Sequence, residues 1–307
     1  MGAALTTSVM DIVLLTLCLF KKGEYMNKIF IRVAKFIGRM ITSSNVRGWI
    51  LRCYYPLVRG KKVLRTINGI NYALDLDEII DVSVSLGIFE VDVQRCLSRF
   101  CKPGMAVLDI GANIGAHALS MGQFVSPAGM VYAFEPTSYA HKKLVENIAL
   151  NPKLPVMAFR MALSDHDEEN QEINFRSSWC TNGGRKDEPC YIDYIRLDHW
   201  MEIYGSNCPI KVIKMDVDGN EFPIIIGGAG AILQNCPIFI MEAVGLHFEN
   251  DARNPILWLW EHGWRFSTLD GKRKFQSIEE MSSLLPRNDL QMTKSINVLG
   301  IHQEQLR

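Results

Sequence analysis

The chain has 307 residues, 48% apolar and 21% charged, the proportions of a folded globular protein rather than a disordered or fibrous one. The zero net charge hides an asymmetry: residues 21–65 carry twelve Lys and Arg against one acid, Glu24, which leaves 21 basic and 32 acidic residues elsewhere, so a basic arm precedes an acidic body. The eight cysteines form no C-x-x-C pair, which argues against a disulfide framework and predicts reduced, mostly buried thiols in a cytoplasmic compartment.

Residues 3–20 are largely apolar but contain Asp11, and no positive charge precedes them, so they make a poor secretory signal. Lys21 and Lys22 follow, as at the cytoplasmic end of a membrane anchor. A bilayer span needs ~20 residues, and an Asp at its centre costs ~2.5–3.5 kcal/mol. Residues 1–25 are therefore either a marginal anchor or an extension ahead of a start at Met26. Lys28, Arg32, Lys35 and Arg39 then recur on one face of a helix over 26–42, with Ile29, Val33, Phe36 and Met40 on the other side. Such a helix either packs on the body with a solvated basic face or makes peripheral contact with an anionic membrane.

Val63–Ile67 and Ile70–Leu76 flank Asn68-Gly69, a hairpin signal through a type I′ turn. Residues 78–100 read as helical with a break near Gly87, and Pro103-Gly104 leads into the first buried strand. That strand, Ala106–Ile110, contains Asp109 and turns through Gly111 and Gly115 into an apolar helix, Ala116–Phe124. A strand, a glycine turn and a helix form the nucleotide-gripping unit of α/β folds, with Gly111 letting the backbone approach the ligand. Asn113 stands where a dinucleotide turn has its second glycine, and Asp109 would repel a pyrophosphate and attract an ammonium group. The pattern D-x-G-x-N-x-G therefore favours S-adenosylmethionine over NAD.

A second strand, Val131–Phe134, closes on Glu135, 24 residues past Gly111, where an acid can hold ribose hydroxyls. A third, Val156–Arg160, leads into a loop, Ala162–Asp165, that places Ser164 and Asp165 near an adenine. Residues 166–190, including Trp179 and Cys180, read as a β-ribbon or loop over the site. A short helix over Arg196–Ile203 precedes a fourth strand, Lys211–Met215, which runs into the acidic segment Asp216–Glu221 and a helix reaching Leu233. A fifth strand, Ile238–Met241, ends in Glu242; Asn254–His262 is helical, and Arg265–Leu269 and Ser295–Ile301 complete the strands. Alternation of strand and helix predicts a doubly wound α/β sheet.

Asp216 and Glu242 end adjacent strands, so their carboxylates can face one crevice and act on an acceptor hydroxyl. Asp218 and Glu221, three apart, fit a capping box with Asp218 as N-cap. The acids could instead hold Mg²⁺ or Ca²⁺, but Gly219 comes two residues too early for an EF-hand, and no metal is assigned. Lys214, inside a strand, is expected to pair with one of these acids. His117 reads as a packed or surface residue, and His247 is only slightly better placed for a base.

V-L-D-I-G-A-N-I-G (107–115), F-E-P (134–136), A-L-S-D (162–165), R-L-D (196–198) and I-K-M-D-V-D-G-N-E (213–221), with Gly87-Ile88-Phe89-Glu90 upstream, resemble the FkbM-type family of S-adenosylmethionine-dependent methyltransferases over about 75–245. The resemblance implies a class I methyltransferase fold: a Rossmann-like, doubly wound seven-stranded sheet with its last strand antiparallel. It implies O-methyl transfer to a glycan, lipid-linked sugar or secondary-metabolite hydroxyl. It implies that Asp109, Gly111, Asn113 and Gly115 hold the methionine end of the cofactor, Glu135 the ribose, and Ser164 and Asp165 the adenine edge. The family form D-V-E-G-x-E carries Asp218 here in place of its Glu. The expected organisation is an extension (1–25), a basic helix and hairpin (26–76) and a methyltransferase domain (77–307). No nucleic-acid motif is present, and the sequence does not indicate an oligomeric state. The alternatives are an NAD-dependent oxidoreductase and a non-catalytic module of the same fold.

Overall fold

A computed structural model describes residues 51, 54–173, 190–205, 209–248, 251–285 and 295–306. The extension over 1–25, the basic helix over 26–42, and Trp179 and Cys180 lie outside the described residues. The chain divides into two compact units, one comprising 1–62 and 74–91, the other 63–73 and 92–307, whereas the sequence places its boundary after residue 76. No helix among the described residues is long and apolar enough to cross a membrane.

Strands β1 (Lys62–Ile67) and β2 (Ile70–Asp75) pair as a hairpin. Asn68 and Gly69 take φ of 51° and 83°, the left-handed pair that a two-residue I′ turn requires. Helix α1 (Ile79–Leu86) ends at Gly87, whose φ of 65° lets its N–H reach the Ser83 and Val84 carbonyls. This is the break expected near Gly87. Helix α2 (Val91–Phe100) follows.

Then come β3 (Ala106–Ile110), α3 (Ala116–Val125), β4 (Met130–Phe134), α4 (Ser138–Ala149) and β5 (Val156–Phe159). After them run β6 (Met161–Ser164), β7 (Glu168–Ile173), β8 (Cys190–Arg196) and α5 (Leu197–Tyr204). The last part holds β9 (Ile210–Met215), α6 (Glu221–Gly227), α7 (Ala229–Asn235), β10 (Ile238–Val244), α8 (Pro255–Glu261), β11 (Trp264–Thr268), α9 (Ile278–Ser282) and β12 (Ser295–His302).

The main sheet has seven strands in the order β11-β12-β10-β9-β3-β4-β5. β12 runs antiparallel to both of its neighbours, and β10, β9, β3, β4 and β5 are parallel. This is the expected fold. Both faces are apolar, as a parallel sheet covered by helices demands. Leu108, Phe134, Met215 and Met241 pack with Trp200 on one face. Val107, Ala133, Val212 and Ile240 pack with Leu97 and Met121 on the other.

Three local expectations change. Ala162–Ser164 belongs to a strand, not a loop: β6 pairs in parallel with β8 in a second sheet of order β6-β8-β7. The helix expected to reach Leu233 breaks at Gly228, where a Cβ would come within 2.7 Å of Leu197. The R-L-D segment proves to be structural. Asp198 accepts from the Gly230 and Ala231 N–H groups at 3.0 and 2.7 Å, and Arg196 pairs with Asp167 at 2.8 Å. The expected β-ribbon appears where it is described, as antiparallel β7 and β8.

Candidate active site

The β3–α3 turn is built from its own hydrogen bonds. The N–H groups of Gly111 and Ala112 donate to the Phe134 carbonyl at 3.0 and 2.9 Å. Asn113, at φ 48°, donates its N–H to Glu135 Oε2 at 3.0 Å, and its own Oδ1 accepts from Ile114 N at 2.8 Å. Gly115 N donates to the Ala112 carbonyl at 2.8 Å. All five N–H groups from 111 to 115 are therefore engaged within the protein. A phosphate-binding turn works by presenting free N–H groups to the ligand, and this one has none to present.

Both glycines also meet packing constraints inside the protein. Gly111 has φ 80°, and a Cβ there would overlap the Asp216 carbonyl, so it permits a close approach to the end of β9. Asp216 N donates to the Ile110 carbonyl at 3.1 Å across the same junction. Gly115, at φ 88°, would put a Cβ 2.6 Å from Leu144 of α4. It serves helix packing.

Asp109 lies beneath the turn, wholly buried, in register with Lys214 of β9. Lys214 Nζ stands 3.5 Å from Asp109 Oδ1, 3.7 Å from Asp216 Oδ2 and 3.3 Å from the Gly111 carbonyl oxygen. One ammonium thus joins the turn to both acids, fulfilling the expected pairing and extending it to Asp109. Neither Asp109 oxygen has a hydrogen-bond partner in the structure. The Asp109 carboxylate is met by the Lys214 charge without a hydrogen bond, and an acid beneath the turn suits a ligand bearing an amino or sulfonium cation better than a phosphate.

Glu135 is buried and completes the cradle. Its Oε1 accepts from Thr137 N and Oγ1 at 2.9 and 2.6 Å, while Oε2 holds Asn113. Burial raises the pKa of its carboxyl group, against the lowering effect of those hydrogen bonds and the Lys214 charge. Ser164 ends β6 and Asp165 follows it. Ser164 Oγ donates to Asp165 Oδ1 at 3.2 Å, and Asp165 also meets His166 Nδ1 at 2.8 Å.

At the carboxyl ends of β9 and β10, Asp216 and Glu242 come together as expected, with Asp218 beside them; each offers a carboxylate oxygen within 4.8 Å of the others. Glu242 hydrogen-bonds to Ser295 and to Asp216, and its carboxyl is pushed up to about 8, first by burial and then by the Asp216 charge. The two carboxyl groups stand close enough to hydrogen-bond, and burial together with the neighbouring acid favours a proton on Glu242. Asp218, at φ 53°, is raised by burial and by the neighbouring charges of Asp216 and Glu221.

The capping-box expectation fails. Asn220, not Asp218, is the N-cap of α6, and no side-chain cap bond forms. Glu221 instead turns back, its Oε1 accepting from Val217 N and Gly219 N at 3.3 and 3.4 Å. Its Oε2 lies 2.7 Å from His247 Nε2, a wholly buried contact. Val244 N donates to His247 Nδ1 at 3.4 Å, so Nε2 carries the proton and donates to Glu221. His247 therefore braces Glu221, which holds the loop bearing Asp216 and Asp218. Sequence reasoning gave His247 no such role, because its partner is 26 residues away.

The raised Glu242 carboxyl has a consequence for stability. Glu242 binds its proton more tightly in the folded chain than at its ordinary value of 4.5, so the folded state is favoured at low pH and that advantage is lost as the pH rises toward about 8. Glu242→Gln keeps a neutral hydrogen-bonding group and escapes this loss. Its melting temperature should rise relative to wild type between pH 5 and 9, reaching an advantage of the order of 1–2 kcal/mol at the alkaline end. Parallel profiles of Tm against pH would take the proton off Glu242.

The sequence profile of the methyltransferase FkbM domain matches residues 109–266. No curated protein matches the chain. Among solved structures, it is similar to methyltransferase FkbM from Methylobacillus flagellatus, at 13% identity and a TM-score of 0.43, covering 73% of this chain and 54% of that one. The chain thus spans about half the length of that relative. It is also similar to Aeropyrum pernix fibrillarin bound to S-adenosyl-L-methionine, at 12% identity and a TM-score of 0.40, covering 80% of this chain and 86% of that one.

Proposed function

The chain belongs to the FkbM-domain methyltransferase family, and from that premise we propose that it moves the methyl group of S-adenosylmethionine onto a hydroxyl of a glycan, a lipid-linked sugar or a secondary metabolite. The observation that carries this reading is the Asp216–Glu242 pair beside the glycine turn, two carboxyl groups within hydrogen-bonding reach, with the Glu242 carboxyl pushed up to about 8. An alcohol is a poor nucleophile until its proton leaves, and a charged carboxylate backed by a proton-holding neighbour suits that task. When bound, S-adenosylmethionine supplies a methyl carbon on a sulfonium leaving group. Asp216 orients the acceptor hydroxyl and takes its proton as the oxygen attacks. Alignment alone can supply ~7–11 kcal/mol of such a barrier.

The cofactor contacts divide among residues already in place. The Asp109 carboxylate, beside Lys214, attracts the cationic end. Three of the roughly four acceptor positions on Glu135 are occupied by Asn113 and Thr137, which leaves room for one ribose hydroxyl rather than two. The occupied N–H groups of the turn disfavour a pyrophosphate, and with it the NAD-dependent alternative.

Calorimetric titration tests the assignment. S-adenosylhomocysteine should bind wild type in the micromolar range and Glu135→Ala at least about tenfold more weakly, a loss of about 1.4 kcal/mol or more. Binding of NAD alone would overturn it. The basic segment 26–42 adds an anionic membrane surface as a proposed partner. Flotation with anionic vesicles but not neutral ones is the expected result, and equal behaviour with both would remove this partner.

A further inference from the structure

A second cluster lies at the far edge of the sheet from Asp216 and Glu242. Cys236 ends α7 and precedes β10, His302 ends β12, and Glu304 follows it. Phe239 of β10 pairs with Gly300 of β12, which brings the start of one strand beside the end of the other. One ligand atom from each of Cys236, His302 and Glu304 falls within 4.8 Å of the other two. His302 Nδ1 stands 4.0 Å from Glu304 Oε2.

The imidazole is oriented as a ligand. Its Nε2 faces the His262 carbonyl at 3.2 Å and, having only an acceptor there, carries the ring proton. Nδ1 is left as the lone-pair nitrogen, on the side of Glu304. A carbonyl behind the distal nitrogen is the usual arrangement around a metal-binding histidine. Two further contacts hold the ring: Trp264 meets it edge-on at 4.6 Å between centroids, and Gly263 leaves it room, since a Cβ there would reach within 2.5 Å of Nε2. On the Nδ1 side the competing bond is long, Glu304 N at 3.4 Å. The Cys236 thiol makes a comparably weak contact with the Leu233 carbonyl at 3.4 Å. Cys236 also occupies a left-handed position, φ 45°, at a helix end where glycine is the favoured residue.

We propose that Cys236, His302 and Glu304 bind one divalent transition-metal ion, zinc by the chemistry of the set, as a clip between the C-terminal segment and the α7–β10 connection. A thiolate, an imidazole and a carboxylate are the donors that Zn²⁺ takes in tetrahedral sites, and water would complete the fourth position. Metal–ligand lengths of about 2.0–2.3 Å put donor atoms about 3.4–3.8 Å apart, so the cluster needs to contract by about 1 Å. Glu304, with 78% of its side chain exposed, is free to make that move. Gln305 already ties this segment to the same connection through a 2.7 Å bond from Nε2 to the Cys236 carbonyl. Because the cluster sits at the opposite end of β10 from Glu242, the ion would act on stability and not on methyl transfer.

Cobalt titration of the chelator-stripped full chain tests the site. Co²⁺ should give one equivalent of a thiolate-to-cobalt charge-transfer band together with tetrahedral visible bands, and Zn²⁺ should bleach both. The band should vanish in Cys236→Ser, and in Glu304→Gln, an exposed change that leaves the fold intact, the apparent Kd should rise at least about tenfold. Cys236→Gly separates metal loss from misfolding: its melting temperature without metal should equal or exceed that of wild type, because glycine suits the left-handed helix end, and Zn²⁺ should no longer raise it. No thiolate band in wild type, or one that survives Cys236→Ser, would overturn the proposal.

Discussion

Asp216→Asn lowers turnover by about 10²–10⁴-fold and leaves S-adenosylhomocysteine affinity within about twofold of wild type. The size follows from the work assigned to the group. Asp216 is the member of the pair proposed to take the proton, and an amide cannot accept it. The small effect on affinity follows from its neighbours. Lys214, 3.7 Å from Asp216, keeps its contacts to Asp109 and to the Gly111 carbonyl, so the cationic subsite persists. The substitution also acts on Glu242. Its carboxyl is raised partly by the Asp216 charge and by a hydrogen bond to Asp216, and removing that charge lets Glu242 ionise at lower pH. Residual activity of Asp216→Asn should therefore grow with pH and disappear in the double variant with Glu242→Gln. The assay is release of S-adenosylhomocysteine with any hydroxylated acceptor that wild type turns over. Turnover equal to wild type would remove Asp216 from the chemistry.

What was legible in the sequence was local. The Asn68-Gly69 dipeptide, the apolar run 106–110 and the acid at 135 each declare themselves within a few residues, because turn chemistry and strand burial are short-range properties. The seven-stranded sheet with its antiparallel last strand followed from the resemblance of a motif set rather than from any one motif. What was not legible lies between residues far apart in the chain. Asn147 of α4 and Asn151, just past its end, accept from the backbone of β2 at Ala73 N and Asn71 N at 2.8 and 2.9 Å, contacts that span 74 and 80 positions. The Lys214 ammonium reaches Gly111 across 103 positions. Glu221 looked like half of a capping box because its spacing from Asp218 is right. The spacing said nothing of His247, whose buried ring offers Glu221 Oε2 a better partner than the exposed helix end does. Local rules thus located the cradle and the acids, and tertiary pairing decided what each acid holds.

Gly111→Ala is the substitution that separates the two accounts of the glycine turn. If the residue is glycine only so that a ligand can approach, alanine should spare the fold and weaken binding. The structure assigns it a different constraint. A Cβ at 111 would overlap the Asp216 carbonyl, and the backbone has a φ of 80°, a conformation that alanine adopts at a cost. Neither side can easily yield. Gly111 N is bonded to the Phe134 carbonyl at 3.0 Å and Asp216 N to that of Ile110 at 3.1 Å, so the junction of three central strands, β4, β3 and β9, would have to shift. Strain of about 1–3 kcal/mol joins an overpacking term of similar size, for a loss of about 3–5 kcal/mol. In a domain of this size that corresponds to a fall in Tm of roughly 10 °C. Whatever folded protein remains should also show impaired turnover, because the displaced carbonyl belongs to the residue proposed to take the proton. Thermal melting and S-adenosylhomocysteine titration on the same sample read both effects. An unchanged Tm with lost binding would return Gly111 to the ligand. A large drop in Tm would make the turn a structural joint, in which the glycine closest to the cofactor site is there to let two strand ends meet.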